Sequence, residues 1–276
     1  GSRLREPMAG DVEIVQALAE GLELGYVRFL DFQRLEEHNR NLEVERSLER
    51  VRTAVAAMTN SDELDGLMAT VASSLKELGV PCTGFGINDV DESSATVTIR
   101  STQGSRDPHS LEDFEVGNPE WLDHFRRRAT WARYDNVEHY RPGAERLIAM
   151  GKVTEGEARQ FLDQVKARGE TWIVDAFFDR GGLAMSKSPD EPFSDDDVAL
   201  LERFTEVFAL GYRRHLDLLA AEQRTREAEI ELQLEHLRAA VAGMSTSEEL
   251  QGLATTVREG LGKLGVPLDG VSINHV

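Results

Sequence analysis

Residues 171–204 read TWIVDAFFDRGGLAMSKSPDEPFSDDDVALLERF. The segments 171–178 and 182–187 are strand-like, and the Asp-Arg-Gly-Gly sequence between them predicts an antiparallel hairpin. Ser194 and the three acidic residues after it are typical of a helix N-terminus, where a hydroxyl accepts a backbone N–H and acids suit the dipole. The stretch therefore predicts two paired strands that lead directly into a long helix.

The residues upstream predict a second hairpin and several helices. An amphipathic helix over 62–78 ends at Gly79, and the segments 82–90 and 94–102 read as paired strands. Between the hairpins we predict a helix that starts at Asn118-Pro119, a strand over 129–135 and a helix from Thr154 to about Arg168. Neighbouring antiparallel strands with separate helical segments indicate an α+β fold, an antiparallel sheet with helices on one face.

The chain repeats itself at an offset of 186 residues. Residues 14–90 align without a gap to residues 200–276, and about 34 of the 77 pairs are identical. Gly79-Val80-Pro81, for example, corresponds to Gly265-Val266-Pro267. Since charged helices would not keep Gly and Pro in register by chance, we interpret the chain as one full period of a tandem array. We expect it to be a fragment of a longer protein.

A heptad stripe runs along the same helix in both copies. Its apolar positions step by 4, 3, 4 and 3, which is the spacing of a coiled-coil seam. The stripe consists of Val44, Leu48, Val51, Val55 and Met58 in the first copy and Ile230, Leu234, Leu237, Val241 and Met244 in the second. We predict that it forms a parallel homodimer. The resulting division is a coiled coil over 1–58, a domain over 59–210, a coiled coil over 211–245 and the start of a second repeat over 246–276.

The order of elements resembles a GAF domain. The resemblance lies in the helix and hairpin at 62–102 and in the strand pair that is followed by Pro192-Phe193, the acidic cap and Leu-Leu-x-x-Phe at 200–204. The flanking helices resemble the signalling helices of bacterial receptors. The resemblance implies an antiparallel sheet with helices behind it and a small-molecule pocket in front. It also implies parallel dimers that pass a shift along a coiled coil to an output domain.

Charge and composition exclude several kinds of partner. The chain has 31 Lys and Arg against 50 Asp and Glu, a formal charge of −19. Nucleic acids and anionic membrane surfaces both require clustered cations, so we predict neither as a partner. The single Cys cannot form an intramolecular disulfide, which favours a reducing, cytoplasmic location.

The sequence shows no catalytic constellation. Cys82 has no histidine near it in sequence, and its counterpart is Leu268, which favours a packing role over nucleophilic attack. The histidines lack metal-ligand spacing, and no phosphate-binding Gly-Lys loop is present. We therefore predict no catalytic residue, no metal and no cofactor.

The unrepeated insertion over 106–170 holds the candidate ligand-binding residues. Aromatic side chains with a few polar groups are typical of small-molecule sites. The candidates are Trp121, His124, Phe125, Trp131, Arg133, Tyr134, His139 and Tyr140. The alternative is that the aromatics form core and that the arginines balance nearby acids.

Three functions are compatible with these observations. The first is a non-enzymatic sensory or relay module of a bacterial signalling protein that dimerises through its coiled coils. The second is a structural spacer that dimerises but binds no ligand. The third is an enzyme with a GAF fold, which the lack of a catalytic constellation disfavours.

Overall fold

The computed structural model describes residues 9–101, 104–105, 108–244, 246 and 250–266. The chain divides into two compact units, one of Gly1–Ala54 with Leu67–Ala209 and one of Val55–Gly66 with Leu210–Val276. In the described part, no helix combines the length and the hydropathy needed to cross a membrane.

The first unit contains one antiparallel sheet. Its strands are β1 Gly84–Asp91, β2 Thr96–Ser101, β3 Gly104–Ser105, β4 His109–Ser110, β5 Trp131–Asp135, β6 Thr171–Phe178 and β7 Gly181–Lys187. They lie in the order β3-β2-β1-β7-β6-β5, and β4 pairs with β2. Both predicted hairpins are present, and β1 of the first pairs with β7 of the second. The α+β prediction is confirmed.

The helices begin and end close to the predicted residues. They are α1 Ala9–Ala57, α2 Leu64–Glu77, α3 Leu111–Gly117, α4 Pro119–Arg127, α5 Val137–Ala149, α6 Glu155–Arg168, α7 Asp195–Gly243 and α8 Leu250–Lys263, with a 3-10 turn at Ser61–Glu63 before α2. Thr154 and Glu157 form the expected capping box. The Ser194 hydroxyl accepts the Asp197 N–H at 3.2 Å. Asn118 precedes Pro119 as predicted, but its side chain makes no capping bond.

One face of the sheet, the back face, packs against α7, and its central part is buried. Phe85, Ile87, Leu183 and Met185 alternate along the central strands and point to this face. The ring of Phe178 lies edge-on to Phe208 of α7, with 5.8 Å between ring centroids. The helices also contact one another, since Arg203 of α7 donates to Glu45 of α1 at 2.5 Å and Arg50 of α1 donates to Glu77 of α2 at 2.6 Å.

The first half of the predicted dimer seam is largely buried within its own chain. Val44, Leu48 and Val51 are at most 3% exposed and Met58 is also buried, while Val55 is half-buried. A side chain that its own chain covers cannot meet a second copy. An apolar heptad stripe serves a domain core as well as it serves a coiled coil, and here it is used as core.

The second half of the predicted seam is largely open. Ile230, Leu234 and Val241 of α7 are exposed, and Leu237 and Met244 are half-buried. The predicted start of a second repeat over 246–276 contains α8, the equivalent of α2. Residues 267–276, whose repeat equivalents 81–90 include most of β1, lie outside the described residues.

The second unit contains a polar clamp between α7 and the loop after α1. Arg214 donates to the carbonyl of Met58 at 2.9 and 2.7 Å. His215 Nδ1 lies 2.9 Å from the Ser61 carbonyl, which makes this nitrogen the protonated one, because a carbonyl only accepts. Glu222 accepts from the N–H and the hydroxyl of Ser61 at 2.9 and 2.5 Å. These bonds satisfy backbone groups at the end of one helix and the start of the next.

Candidate functional site

The face of the sheet opposite to α7, the front face, carries small residues on its two central strands. Strand alternation and the pairing of Gly86 with Ala184 and of Gly84 with Ser186 put these four residues on it. Ala184 and Ser186 are half-buried, whereas their neighbour Met185 on the back face is 1% exposed. Small side chains on two adjacent central strands leave space above the sheet. We call this surface, residues 84, 86, 184 and 186, the floor.

The two glycines of the floor are fixed by their neighbours. A Cβ on Gly84 would lie 2.6 Å from the Ser186 hydroxyl oxygen. A Cβ on Gly86 would lie 2.6 Å from the Arg100 carbonyl oxygen. A side chain at position 86 would push against the backbone of β2, so Gly86 has to stay small for the sheet to pair, whereas at position 84 the Ser186 hydroxyl would have to rotate.

A network of buried charges borders the floor on β5 and β6. Asp175 accepts from the Asn88 amide at 3.1 Å and from the Arg133 guanidinium. Asp135 accepts from Arg168 of α6. Both aspartates are fully buried. Each buried carboxylate therefore has an arginine partner, which is the pairing that a buried acid requires.

Two atoms of the network lack a hydrogen bond. They are Arg133 Nε and Asp135 Oδ1, which lie 3.9 Å apart, too far for a direct bond. Burial opposes the charge of Arg133, but Asp175 and Asp135 outweigh it and hold its pKa above the ordinary arginine value. The site therefore offers one donor and one acceptor side by side, next to the floor.

Aromatic rings from α4, α5 and β5 form a wall beside the charges. His124 stacks on Trp131 at 5.1 Å between ring centroids, and the Arg133 guanidinium lies 4.3 Å from the Trp131 ring. His139 contacts both Trp131 and Tyr140. Burial and the nearby Arg133 lower the pKa of His139, so the ring is neutral at pH 7. Burial raises the pKa of the Tyr140 hydroxyl, which stays protonated.

The structure brings together five of the eight predicted ligand-binding residues. They are His124, Trp131, Arg133, His139 and Tyr140. Trp121 and Phe125 instead form a core cluster with Val90, Val97 and Leu122 at one end of the front face. Here the alternative prediction of a core role applies.

Tyr134 lies away from the other candidates. It alternates with Arg133 along β5 and therefore points to the opposite face, where its ring contacts Trp172. Its hydroxyl donates to Glu170 at 2.6 Å. Tyr134 therefore lies on the other face of the sheet from the charge network.

Sequence reasoning missed Asn88, Asp135, Asp175 and Arg168. Asp175 carried a signal, since it is the one charged residue in the apolar strand TWIVDAFF, and a charge is almost never fully buried unless paired. The sequence around the other three residues gives no sign that they are buried or paired. Only the pairing of β5 with β6 and the position of α6 bring them to Asp175.

The described residues contain no group of three His, Cys, Asp or Glu side chains placed to hold a metal ion. Cys82 is half-buried, and burial raises the pKa of its thiol, which disfavours the thiolate that a nucleophile needs. A cavity of about 360 Å³ opens elsewhere, with Ala176, Phe178, Glu202 and Thr205 in its lining. It touches neither the floor nor the charge network.

The comparisons with known proteins concern the fold. No family model matches the chain, and no curated protein matches it. The GAF domain/HD domain protein from Geobacter sulfurreducens is 13% identical over 59% of this chain and 98% of its own, with a TM-score of 0.39. The chain is similar to GAF domains. The GAF domain from Acinetobacter phosphoenolpyruvate-protein phosphotransferase is 14% identical over 62% of this chain and 93% of its own, with a TM-score of 0.38.

The unit with the sheet is called the GAF-like domain below. Both solved structures are described as GAF domain structures, and this is the family that the sequence resembles. At 13–14% identity no residue role is carried from those proteins to this chain.

Proposed function

We propose that the chain is a sensory module that binds a small molecule on the front face of the GAF-like domain and relays its presence to α7. One observation carries the proposal: a half-open floor of small residues lies beside a buried network in which Arg133 Nε and Asp135 Oδ1 lack hydrogen-bond partners. Ligand sites in proteins combine such a concave surface with a few fixed polar groups. The proposed role is binding without catalysis.

The route of the relay is strand β7. Ala184 and Ser186 of the floor alternate with Met185 and Lys187, which point to the back face. The Lys187 ammonium is buried and lies 2.7 Å from the Asp197 carboxylate in the first turn of α7. A ligand that shifts β7 therefore also moves the N-terminus of a helix that continues to Gly243.

The first experiment tests binding. Thermal unfolding of the wild-type chain is measured against a library of metabolites. A ligand of the native state stabilises it by about 2.7 kcal/mol at a hundredfold excess over Kd. The variant Ala184→Phe fills the floor, and Ala132→Phe places the same side chain at an exposed position on the opposite face of β5. We expect a binding compound to stabilise the wild type and Ala132→Phe and to lose its effect on Ala184→Phe.

The second experiment tests the relay. Hydrogen exchange along α7 is compared with and without the compound, in the wild type and in Lys187→Met. Ligand-dependent protection of the first turns of α7 that disappears in Lys187→Met supports the proposed route. If no compound in the library stabilises the wild type, or if Ala184→Phe binds the compound as well as the wild type does, the structural-spacer hypothesis is favoured.

A further inference from the structure

The N-terminal half of α1 exposes an apolar stripe. Val15, Leu18, Leu22, Phe29 and Phe32 fall on one line, with Gly25 between Leu22 and Phe29, at steps of 3, 4, 3, 4 and 3. Each of the five apolar side chains is more than half exposed, and Leu22 reaches 74%. Contiguous apolar surface of this kind marks an interaction site.

The internal repeat shows what such a stripe contacts. The equivalents in α7 are Leu201, Phe204, Phe208, Gly211, His215 and Leu218. Leu201, Phe204 and Phe208 are fully buried, and His215 is 8% exposed. In α7, therefore, this line of residues is the face by which a helix closes a GAF-like domain.

Near the C-terminal end of the described residues, the apolar faces of two helices are incompletely buried. The helix pair α7 and α8 repeats the pair α1 and α2: Gln233 and Gly260 approach each other, and their equivalents Ser47 and Ser74 are both buried. The apolar positions of α8, Leu253, Val257 and Leu261, are only half-buried. Their equivalents in α2, Leu67, Val71 and Leu75, are at most 2% exposed. Among the described residues, this end has equivalents of α1 and α2 but no equivalent of the part of α7 that closes the GAF-like domain.

A polar contact is matched in the same way. Arg214 of α7 binds the carbonyl of Met58, and the equivalents of this pair are Arg28 and Met244. The loops begin alike, since the N–H of Met58 donates to Val55 at 3.3 Å and that of Met244 to Val241 at 3.2 Å. Arg28 is exposed on α1. The donor and the acceptor of a second clamp are thus both present, at opposite ends of the chain.

We propose that the stripe from Val15 to Phe32 is a docking surface for the α7–α8 end of a second copy of this chain. The docked helix would cover Leu234 and Val241 and bring Arg28 to the Met244 carbonyl. The contact joins two different surfaces, so it is heterologous and continues from copy to copy. It does not depend on a ligand and is independent of the proposed sensory function.

The test uses the full chain and two glutamate variants. Leu22→Glu damages the α1 surface and Leu234→Glu damages the α7–α8 end, and both positions are exposed, so the fold is retained. Sedimentation velocity is measured for the wild type, each variant and their equimolar mixture. We expect the wild type to form oligomers beyond the dimer as its concentration rises. Each variant alone weakens the association by about tenfold or more, and the mixture restores a one-to-one dimer through its single intact contact.

Matched controls are present in both helices. Leu24 and its equivalent Leu210 are both exposed, so Leu24 lies off the docking surface, and Leu24→Glu should associate like the wild type. Leu232 is exposed as well, and its equivalent Arg46 is also exposed, so Leu232→Glu is the control at the other end.

Several outcomes would overturn the proposal. A monomeric wild type at all concentrations removes the contact altogether. Dimers of Leu234→Glu alone would show a symmetric contact between two α1 stripes. Dimers of Leu22→Glu alone would show the parallel coiled coil through residues 230–244. In each case the mixture gains nothing over its components, which separates a symmetric contact from a heterologous one.

Discussion

Two copies of one helix have opposite surroundings in this chain. In α1 the N-terminal half is exposed and the stripe from Val44 to Val51 is buried. In α7 the N-terminal half is buried and the stripe from Ile230 to Val241 is exposed. Because the sequences correspond position by position, the difference comes from the neighbours. The docking proposal implies that such a helix closes one GAF-like domain with its first half and opens another with its second.

The largest expected effect comes from a substitution in the buried N-terminal half of α7. Phe204→Ala removes a fully buried ring and should cost about 3–5 kcal/mol of unfolding free energy, since a cavity adds to the lost transfer energy. Its repeat equivalent Leu18 is 63% exposed, and Leu18→Ala should change stability by less than about 0.5 kcal/mol. Urea unfolding at low protein concentration measures both. Equal losses would show that α1 is covered in solution.

The second prediction concerns the opening half and uses one residue type. Leu48 is 2% exposed and its equivalent Leu234 is 40% exposed. Leu48→Ala should cost about 2–5 kcal/mol, and Leu234→Ala less than about 0.5 kcal/mol in the monomer. The same urea titrations report the two values. A large loss of unfolding free energy for Leu234→Ala but not for Leu48→Ala would mean that the stripe from Ile230 to Val241, and not the stripe from Val44 to Val51, stabilises the fold.

The third prediction concerns the attachment of α7 to the sheet. Lys187→Met leaves the largely buried Asp197 without its cation and should cost about 2 kcal/mol at pH 7. Burial raises the pKa of Asp197, but Lys187 and the Ser194 donors outweigh it and hold the pKa below the ordinary value. A depressed pKa stabilises the fold above the unfolded pKa of about 3.9, and the gain is lost as the pH falls below it. The difference between the two proteins should therefore shrink on acidification below about pH 4. A difference that stays constant with pH would place the effect in packing.

The smallest effect concerns the clamp. Glu222 accepts two hydrogen bonds from Ser61, and these bonds lower its pKa. Glu222→Gln should lower the Tm slightly at pH 7 and by less at pH 3, because the contribution of a depressed carboxyl pKa is lost as the pH falls. Glu36 is the repeat equivalent and is exposed, so Glu36→Gln should leave the Tm unchanged. Calorimetry at the two pH values compares them, and matching shifts would place Glu36 in a clamp of its own.

The candidate site was only partly predictable. Trp131, Arg133, His139 and Tyr140 were predicted because aromatics and arginine concentrate in the unrepeated insertion. The sequence did not show which face of the sheet each side chain occupies. Tyr134 is therefore among the predicted ligand-binding residues, although strand alternation turns it away from Arg133. Asp135, Asp175 and Arg168 are far apart in sequence and meet only through strand pairing and the packing of α6.

The sequence alone determined the local elements. Caps such as Thr154 with Glu157, the glycine turn at residues 179–182 and the helical periodicity act within a few residues, so they are legible before folding. The internal repeat is likewise a property of the sequence. Tertiary structure decided which apolar stripe is core and which is surface. A heptad stripe has the same hydrophobic driving force for a sheet, a neighbouring helix or a second copy, so its burial depends on the partner that reaches it.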